Sequence, residues 1–186
     1  TNYRWIPELT IRMAMALIDF LGISRHSTIL EFGCAKGYLV KAFRILWREA
    51  YGCDISEYAI SHADPDVVNF VRLCNDDIVP FSNHFNLCIA KDVFEHISEN
   101  ELNLTLNNLR LKCDHLFAVI PLGDGSRFVV PAYNQDITHV TAKDMEWWVK
   151  KFNESGWKLD DFSYIVKGVK DNWSHYLKGN CFFKLS

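Results

Sequence analysis

Ile29-Leu-Glu-Phe-Gly-Cys-Ala-Lys-Gly37 carries more information than any other stretch of this chain. A short apolar strand, Thr28 to Phe32, contains an acidic residue near its end. It runs into a turn with Gly33, Ala35 and Gly37 at alternate positions, and a helical pattern begins there. Such a turn brings backbone close to a ligand and aims amide groups and a helix N-terminus at its polar part. The spacing fails the Gly-x-Gly-x-x-Gly of dinucleotide sites, and Glu31 would crowd a pyrophosphate with negative charge. A carboxylate in that place suits a cationic ligand instead.

Outward from this turn, strand and helix patterns alternate. Ile6 to Leu21 reads as a helix with Pro7 in its first turn, Leu9, Met13, Leu17 and Phe20 on one face, and Gly22 as its stop. Gly37 to Arg48 is a second helix. Strands are predicted at Ala50 to Asp54, Val67 to Leu73, Phe85 to Ala90 and His115 to Pro121, with a helix capped by Ser56 and closed at Pro65 after the first of them. Ser98-Glu-Asn-Glu101 and Thr141-Ala-Lys-Asp144 have the form of helix starts. The first opens a helix burying Leu102, Leu106 and Leu109, and the second opens one burying Met145, Trp148, Val149 and Phe152, stopped at Gly156. Lys158 to Val166 and Cys181 to Leu185 have no helix between them and should pair as an antiparallel hairpin. The expected fold is α/β: a doubly wound, Rossmann-like, seven-stranded and mostly parallel sheet with an antiparallel last strand and helices on both faces. Ligands of such sheets bind outside the carboxyl ends of the strands, where the strand order switches.

At 186 residues the chain is expected to form a single domain, 1–186, with 1–22 as an N-terminal cap helix. Its formal net charge of -3 lacks the basic surplus of non-specific nucleic-acid binding, so no nucleic-acid partner is expected. No apolar run is long enough to span a bilayer and the first residues lack a signal-peptide pattern, so no membrane association is expected. The six cysteines (Cys34, Cys53, Cys74, Cys88, Cys113 and Cys181) form no Cys-x-x-Cys pair and sit largely in apolar runs. A reducing, cytoplasmic setting follows as the expectation. Trp147, Trp148 and Trp157 are expected in the core.

Asp54 closes the second strand 23 residues after Glu31, near the spacing of about 20 at which an acid accepts from ribose hydroxyls. The segment Asn75-Asp-Asp-Ile78 after the third strand offers a carboxylate beside an apolar residue, suited to an adenine. Together these residues resemble the class I S-adenosylmethionine-dependent methyltransferases. Glu31-x-Gly33-x-Ala35-x-Gly37 looks like the family's first motif, with Ala35 where glycine is usual. Tyr51-Gly-Cys-Asp-Ile-Ser-Glu-Tyr-Ala-Ile60 is similar to the segment around its ribose-binding acid, Asp77 with Ile78 matches its adenine position, and Ala90-Lys-Asp-Val-Phe-Glu-His96 resembles the segment after its fourth strand. The resemblance runs from about Thr28 to the C-terminus. It implies S-adenosyl-L-methionine as cofactor, S-adenosyl-L-homocysteine as product, and Glu31, Gly33, Cys34, Ala35, Gly37, Asp54, Ile55, Asp77, Ile78 and Lys91 as cofactor-binding residues.

Methyl transfer is an in-line displacement that depends chiefly on alignment, with a general base where the acceptor must lose a proton. His139, His96 and Asp92 are the candidate catalytic residues. Loops 122–140 and 168–180 are expected on the acceptor side, with Trp173, His175 and Tyr176 in the second, and Tyr3, Arg4 and Trp5 folding over the cleft. Asp92 and Asp124 lack an evident third partner, so no metal and metal-independent turnover are expected. No Asn-Pro-Pro-Tyr-like segment of nucleic-acid amino methylases follows the fourth strand, and Glu95 lacks the second carboxylate of arginine methylation. Tyr58-Ala-Ile60 and Asp136-Ile-Thr-His-Val140 are similar to segments of bacterial methyltransferases acting on surface sugars and secondary metabolites. The expected activity is transfer of a methyl group to O or N of a small-molecule acceptor by a monomer or homodimer. The alternatives are a non-catalytic S-adenosylmethionine-binding module or subunit of a larger complex, and a nicotinamide-dependent oxidoreductase, which the missing fingerprint disfavours.

Overall fold

The computed structural model describes residues 3–75 and 79–186; Asp77 and Ile78 lie outside the described residues. In chain order the elements are α1 (Pro7–Leu21), β1 (Thr28–Phe32), α2 (Tyr38–Ile45), β2 (Glu49–Asp54), α3 (Glu57–Ser61), β3 (Val71–Leu73), β4 (Phe85–Lys91), α4 (Glu99–Lys112), β5 (Cys113–Pro121), α5 (Met145–Glu154), β6 (Leu159–Ser163) and β7 (Asn180–Leu185). The strands form one sheet in the order β3-β2-β1-β4-β5-β7-β6. β1 to β5 pair in parallel, and β7 runs antiparallel to both its neighbours, as the sequence predicts. The order reverses between β1 and β4, which is where such a sheet opens a crevice.

Side chains of successive strand residues alternate between two cores. Leu30, Phe32, Cys88, Ala90, Leu116 and Ala118 pack with Leu102, Leu106 and Leu109 of α4 and Trp148 and Phe152 of α5. Ile29, Ile89, Phe117 and Val119 pack on the opposite face with Ala14 and Leu17 of α1 and Leu39, Val40 and Phe43 of α2. α1 starts at Pro7 and ends where Gly22 turns left-handed, its neighbour Ile23 donating back to the Ile18 carbonyl. All six cysteines are buried and none is in a disulfide among the described residues; they fill core positions as small apolar groups.

Three local expectations are corrected. β3 spans only Val71–Leu73, because Val67 to Phe70 closes a turn in which Phe70 N–H donates to the Val67 carbonyl. α5 is capped by Asp144, which accepts from Trp147 N–H, while the Thr141 hydroxyl donates to the Ile97 carbonyl. Trp147 is half-buried, with Lys143 and Lys151 over its ring, whereas Trp148 and Trp157 are core residues.

Candidate functional site

The turn after β1 carries three left-handed residues in alternation: Gly33 (φ 78), Ala35 (φ 47) and Gly37 (φ 76). A Cβ on Gly33 would lie 2.4 Å from Val93 Cγ2, so glycine is required there by space as well as by conformation. Ala35 holds its strained conformation because its N–H donates to Asp54 Oδ2 at 2.7 Å. The other Asp54 oxygen accepts from Ser56 N–H at 2.9 Å. Asp54 therefore ties the first turn to the second, and each of its oxygens retains a lone pair for a further donor. Gly33, Ala35, Asp54 and the exposed Ile55 border a cavity of about 330 Å³. Cys34 turns its thiol into the core against Gly52, so it offers the site its backbone alone. Gly37 packs on Val71 and caps α2.

A second cavity, of about 320 Å³, shares Gly33, Ala35 and Asp92 with the first and is bordered by Glu31, Tyr38 and the N-terminal Tyr3 and Arg4. Tyr3 packs on Tyr38 with ring centroids 5.0 Å apart, and Trp5 lies beside the same ring under Lys41. The segment preceding α1 thus closes over the site. Glu31 accepts from the Val40 N–H in the first turn of α2 at 3.2 Å. Burial nevertheless pushes its carboxyl up to about 8, against the opposing pull of that bond and of Lys91, with Asp54 adding to the rise. A cation brought into this cavity would relieve that cost.

β4 ends in Lys91, and Asp92 then turns the chain in a left-handed conformation (φ 57) while its N–H donates to the Val119 carbonyl. Lys91 and the nearly buried Lys170 both pair with the Asp92 carboxylate. Burial works against its ionisation, but the two lysines prevail and hold it at about 2. A third cavity, of about 470 Å³, shares Met13, Lys91 and Asp92 with the second and is walled by Glu95, Tyr133, His139 and Trp173. Lys170 lies over the Tyr133 ring, and the Tyr133 hydroxyl donates to Asn180 Oδ1.

The turn Phe94–His96 is stapled to the loop after β5, because the Glu95 carbonyl accepts from both Val140 and Thr141 N–H. This brings the His96 and His139 rings to 4.6 Å between centroids. Glu95 is fully buried, and among the described residues neither carboxylate oxygen has a hydrogen-bond partner. Burial, reinforced by Asp92, pushes its carboxyl up to about 8. Asp124 lies apart from this cluster in function: its carboxylate is spent on Ser126 and Arg127 within its own loop. Sequence reasoning passed over Tyr38, Met13, Tyr133 and Lys170. The only signal for the last two was their place in loops after β5 and β6.

The strand order, the left-handed turn after β1 and the acids at the ends of β1 and β2 define a Rossmann-like fold of the methyltransferase type. Residues 8–154 match the family described as a methyltransferase domain, and the chain belongs to that family. No curated protein matches the sequence significantly. Among solved structures it is similar to the glycopeptide N-methyltransferase MtfA complexed with S-adenosyl-L-methionine, at 11% identity and a TM-score of 0.64, over 93% of this chain and 86% of that one. It is also similar to an S-adenosylmethionine-dependent methyltransferase from Clostridium acetobutylicum ATCC 824 (10% identity, TM-score 0.70, 94% and 90% covered). A third likeness is to the complex between the Haloferax volcanii Trm112 methyltransferase activator and a methyltransferase (12% identity, TM-score 0.71, 96% and 90% covered). At these identities the likeness is one of fold.

S-adenosylmethionine is the cofactor of this class, and the residues fit it. The buried Glu31 carboxyl makes no ion pair among the described residues, the nearby Lys91 being paired with Asp92. Asp54 has acceptor capacity beside the first cavity, and that cavity is mainly apolar around Phe32, Ile55 and Val93. Among the described residues no helix is long and apolar enough to cross a membrane.

Proposed function

We propose that the chain transfers a methyl group from S-adenosylmethionine to an oxygen or nitrogen of a small-molecule acceptor. The observation that carries this is the meeting of three cavities at one residue, Asp92: two that suit a cofactor and a third, of about 470 Å³, that is otherwise unassigned. That third volume falls in the range of small-ligand sites. The net charge of -3 gives no support for a polyanionic acceptor.

When bound, the cofactor supplies an electrophilic methyl carbon on a sulfonium. The chain's own residues set up the encounter. Asp54 accepts from ribose hydroxyls while holding the Ala35 turn, Ile55 covers a flat base, and Glu31 faces the cationic end. Asp92, pinned by Lys91 and Lys170, fixes the wall between cofactor and acceptor, and its low affinity for protons makes it a positioning residue rather than a base. His139 donates Nδ1–H to the Tyr133 carbonyl at 2.9 Å, so its Nε2 keeps a lone pair at the acceptor cavity. Tyr133 and Trp173, whose rings meet at 5.8 Å, give the acceptor an aromatic wall.

The test is turnover. Incubation with methyl-labelled cofactor and fractionated metabolite pools should place label on a small molecule. His139→Ala should lower that transfer at least about tenfold while leaving cofactor affinity unchanged. A folded protein that binds cofactor and labels no acceptor, in small-molecule or macromolecular fractions, would instead be a binding module.

A further inference from the structure

Glu95, His96 and His139 present one ligand atom each, all within 4.8 Å of one another. Their surroundings fix what those atoms offer. The Tyr133 carbonyl can only accept, so His139 Nδ1 carries the proton and Nε2 the lone pair. The Thr138 hydroxyl donates to Asp136 Oδ1 at 2.6 Å, so His96 Nδ1, 2.9 Å from that hydroxyl and 3.2 Å from the Thr138 carbonyl, must also be the donor. Both imidazoles are thereby held in the tautomer that leaves Nε2 unprotonated, by hydrogen bonds of the kind that orient metal-ligating histidines. Asp136 Oδ2, 3.9 Å from His139 Nε2, is beyond hydrogen-bond reach. Beside them lies a fully buried carboxylate with no partner for either oxygen among the described residues. Ionised or protonated, it would be left unsatisfied, and a bound cation answers both its charge and its empty lone pairs.

We propose that Glu95, His96 and His139 form a binding site for a divalent transition-metal ion of the zinc and manganese class. Two imidazoles and one carboxylate suit such an ion better than magnesium or calcium, which take oxygen ligands. Three protein ligands leave coordination positions open, as in catalytic metal sites. Glu95 and His139 border the proposed acceptor cavity and His96 borders the adjoining cofactor cavity, so an ion held by the three would sit where the two cavities meet. Ligand bonds of about 2.1 Å require the three groups to draw together by roughly 1 Å, a side-chain adjustment. This departs from the metal independence expected from sequence, where Asp92 and Asp124 were the residues weighed.

The role assigned to the ion rests on the proposed methyl transfer and deepens it towards a hydroxyl acceptor. A Lewis acid in the cavity wall lowers the affinity of the acceptor oxygen for its proton, which leaves to water. The oxygen then forms its bond to the methyl carbon as the carbon–sulfur bond breaks, its electron pair staying on sulfur. With the ion bound, the His139 Nε2 lone pair is taken up as a ligand, and the proton that His139 would accept in the ion's absence passes to water instead.

Calorimetric titration of the chelator-treated protein with zinc and manganese chloride, with magnesium as control, tests the site without reference to turnover. S-adenosylhomocysteine is titrated into the same preparation. One ion per chain is expected, with at least tenfold weaker binding in Glu95→Gln and in His139→Ala and unchanged S-adenosylhomocysteine affinity in Glu95→Gln. Binding of S-adenosylhomocysteine with no transition-metal binding would overturn the site while leaving the methyltransferase reading intact. Metal binding undiminished in both variants would also overturn it. Metal binding lost in the variants, with no S-adenosylhomocysteine binding in the native protein, would support the site and count against the cofactor reading instead.

Discussion

The two ends of the parallel sheet are built on different principles. At the amino ends of β1, β4 and β5, exposed polar and charged side chains pair with one another. Thr28 N–H and hydroxyl donate to Asn86 Oδ1, Asn86 donates to Asp114 Oδ2, and His84 pairs with Asp114 Oδ1 at 2.8 Å. A cavity of about 340 Å³ opens there too, lined by Ser27, Asn86 and His115 together with apolar residues such as Leu116 and Phe117. Among the described residues it holds no buried carboxyl of the kind found at the other end. At the carboxyl ends, Gly33, Ala35 and Asp92 are held left-handed, and Glu31 and Glu95 are buried acids whose carboxyls burial pushes up to about 8. Volume alone does not distinguish the two ends. Backbone strain and buried carboxyls that resist ionisation do, and both are costs that a folded chain retains where ligands repay them.

This contrast can be broken most severely at Gly33. Gly33→Val places a branched side chain where Val93 already lies, in a conformation β-branched residues avoid. It should weaken S-adenosylhomocysteine binding more than about 100-fold and lower stability by about 2–4 kcal/mol, read by calorimetry and thermal unfolding. Retained affinity would mean the ligand does not approach this turn. Asp54→Ala should cost at least about 1.5 kcal/mol of affinity, or roughly tenfold, because charge-assisted acceptors and the clamp on Ala35 are lost together. Unchanged affinity in a folded variant would remove Asp54 from the ribose role.

A subtler test concerns pH. Glu31 binds its proton more tightly folded (about 8) than unfolded (4.5), so folding is favoured below pH 4.5 and that contribution is lost as pH rises through 8. In the ligand-free protein Glu31→Gln should flatten the fall in stability between pH 5 and 8, by up to about 1.4 kcal/mol per pH unit. Denaturant titrations at several pH values would show it; parallel native and variant curves would contradict the burial argument. At the opposite end, Asp114→Asn should change stability by no more than about 0.5 kcal/mol and leave cofactor affinity untouched, since its partners are exposed. A loss of binding there would erase the distinction between the two ends.

Much of the fold was legible because its signals are local. The strand patterns, Pro7, Gly22 and the reversed last hairpin each follow from the preferences of a few adjacent residues. Val67 misled because its burial comes from the close approach of Gly37, which an apolar run cannot distinguish from strand pairing. Within the site, Glu31, Gly33 and Asp54 were readable from their places at strand ends. The left-handed Ala35 was not, since only the Asp54 bond, from the next strand, explains it. The Glu95, His96 and His139 cluster was hidden for the same reason. The candidate histidines were visible singly, but their meeting depends on Val140 and Thr141 donating to the Glu95 carbonyl.

The central claim is that the carboxyl-end crevice was shaped for S-adenosylmethionine. Calorimetric titration with S-adenosylhomocysteine, with a nicotinamide dinucleotide as control, tests it most directly. The account predicts micromolar binding of the first and none of the second. Binding of the dinucleotide alone, or of neither, would contradict it.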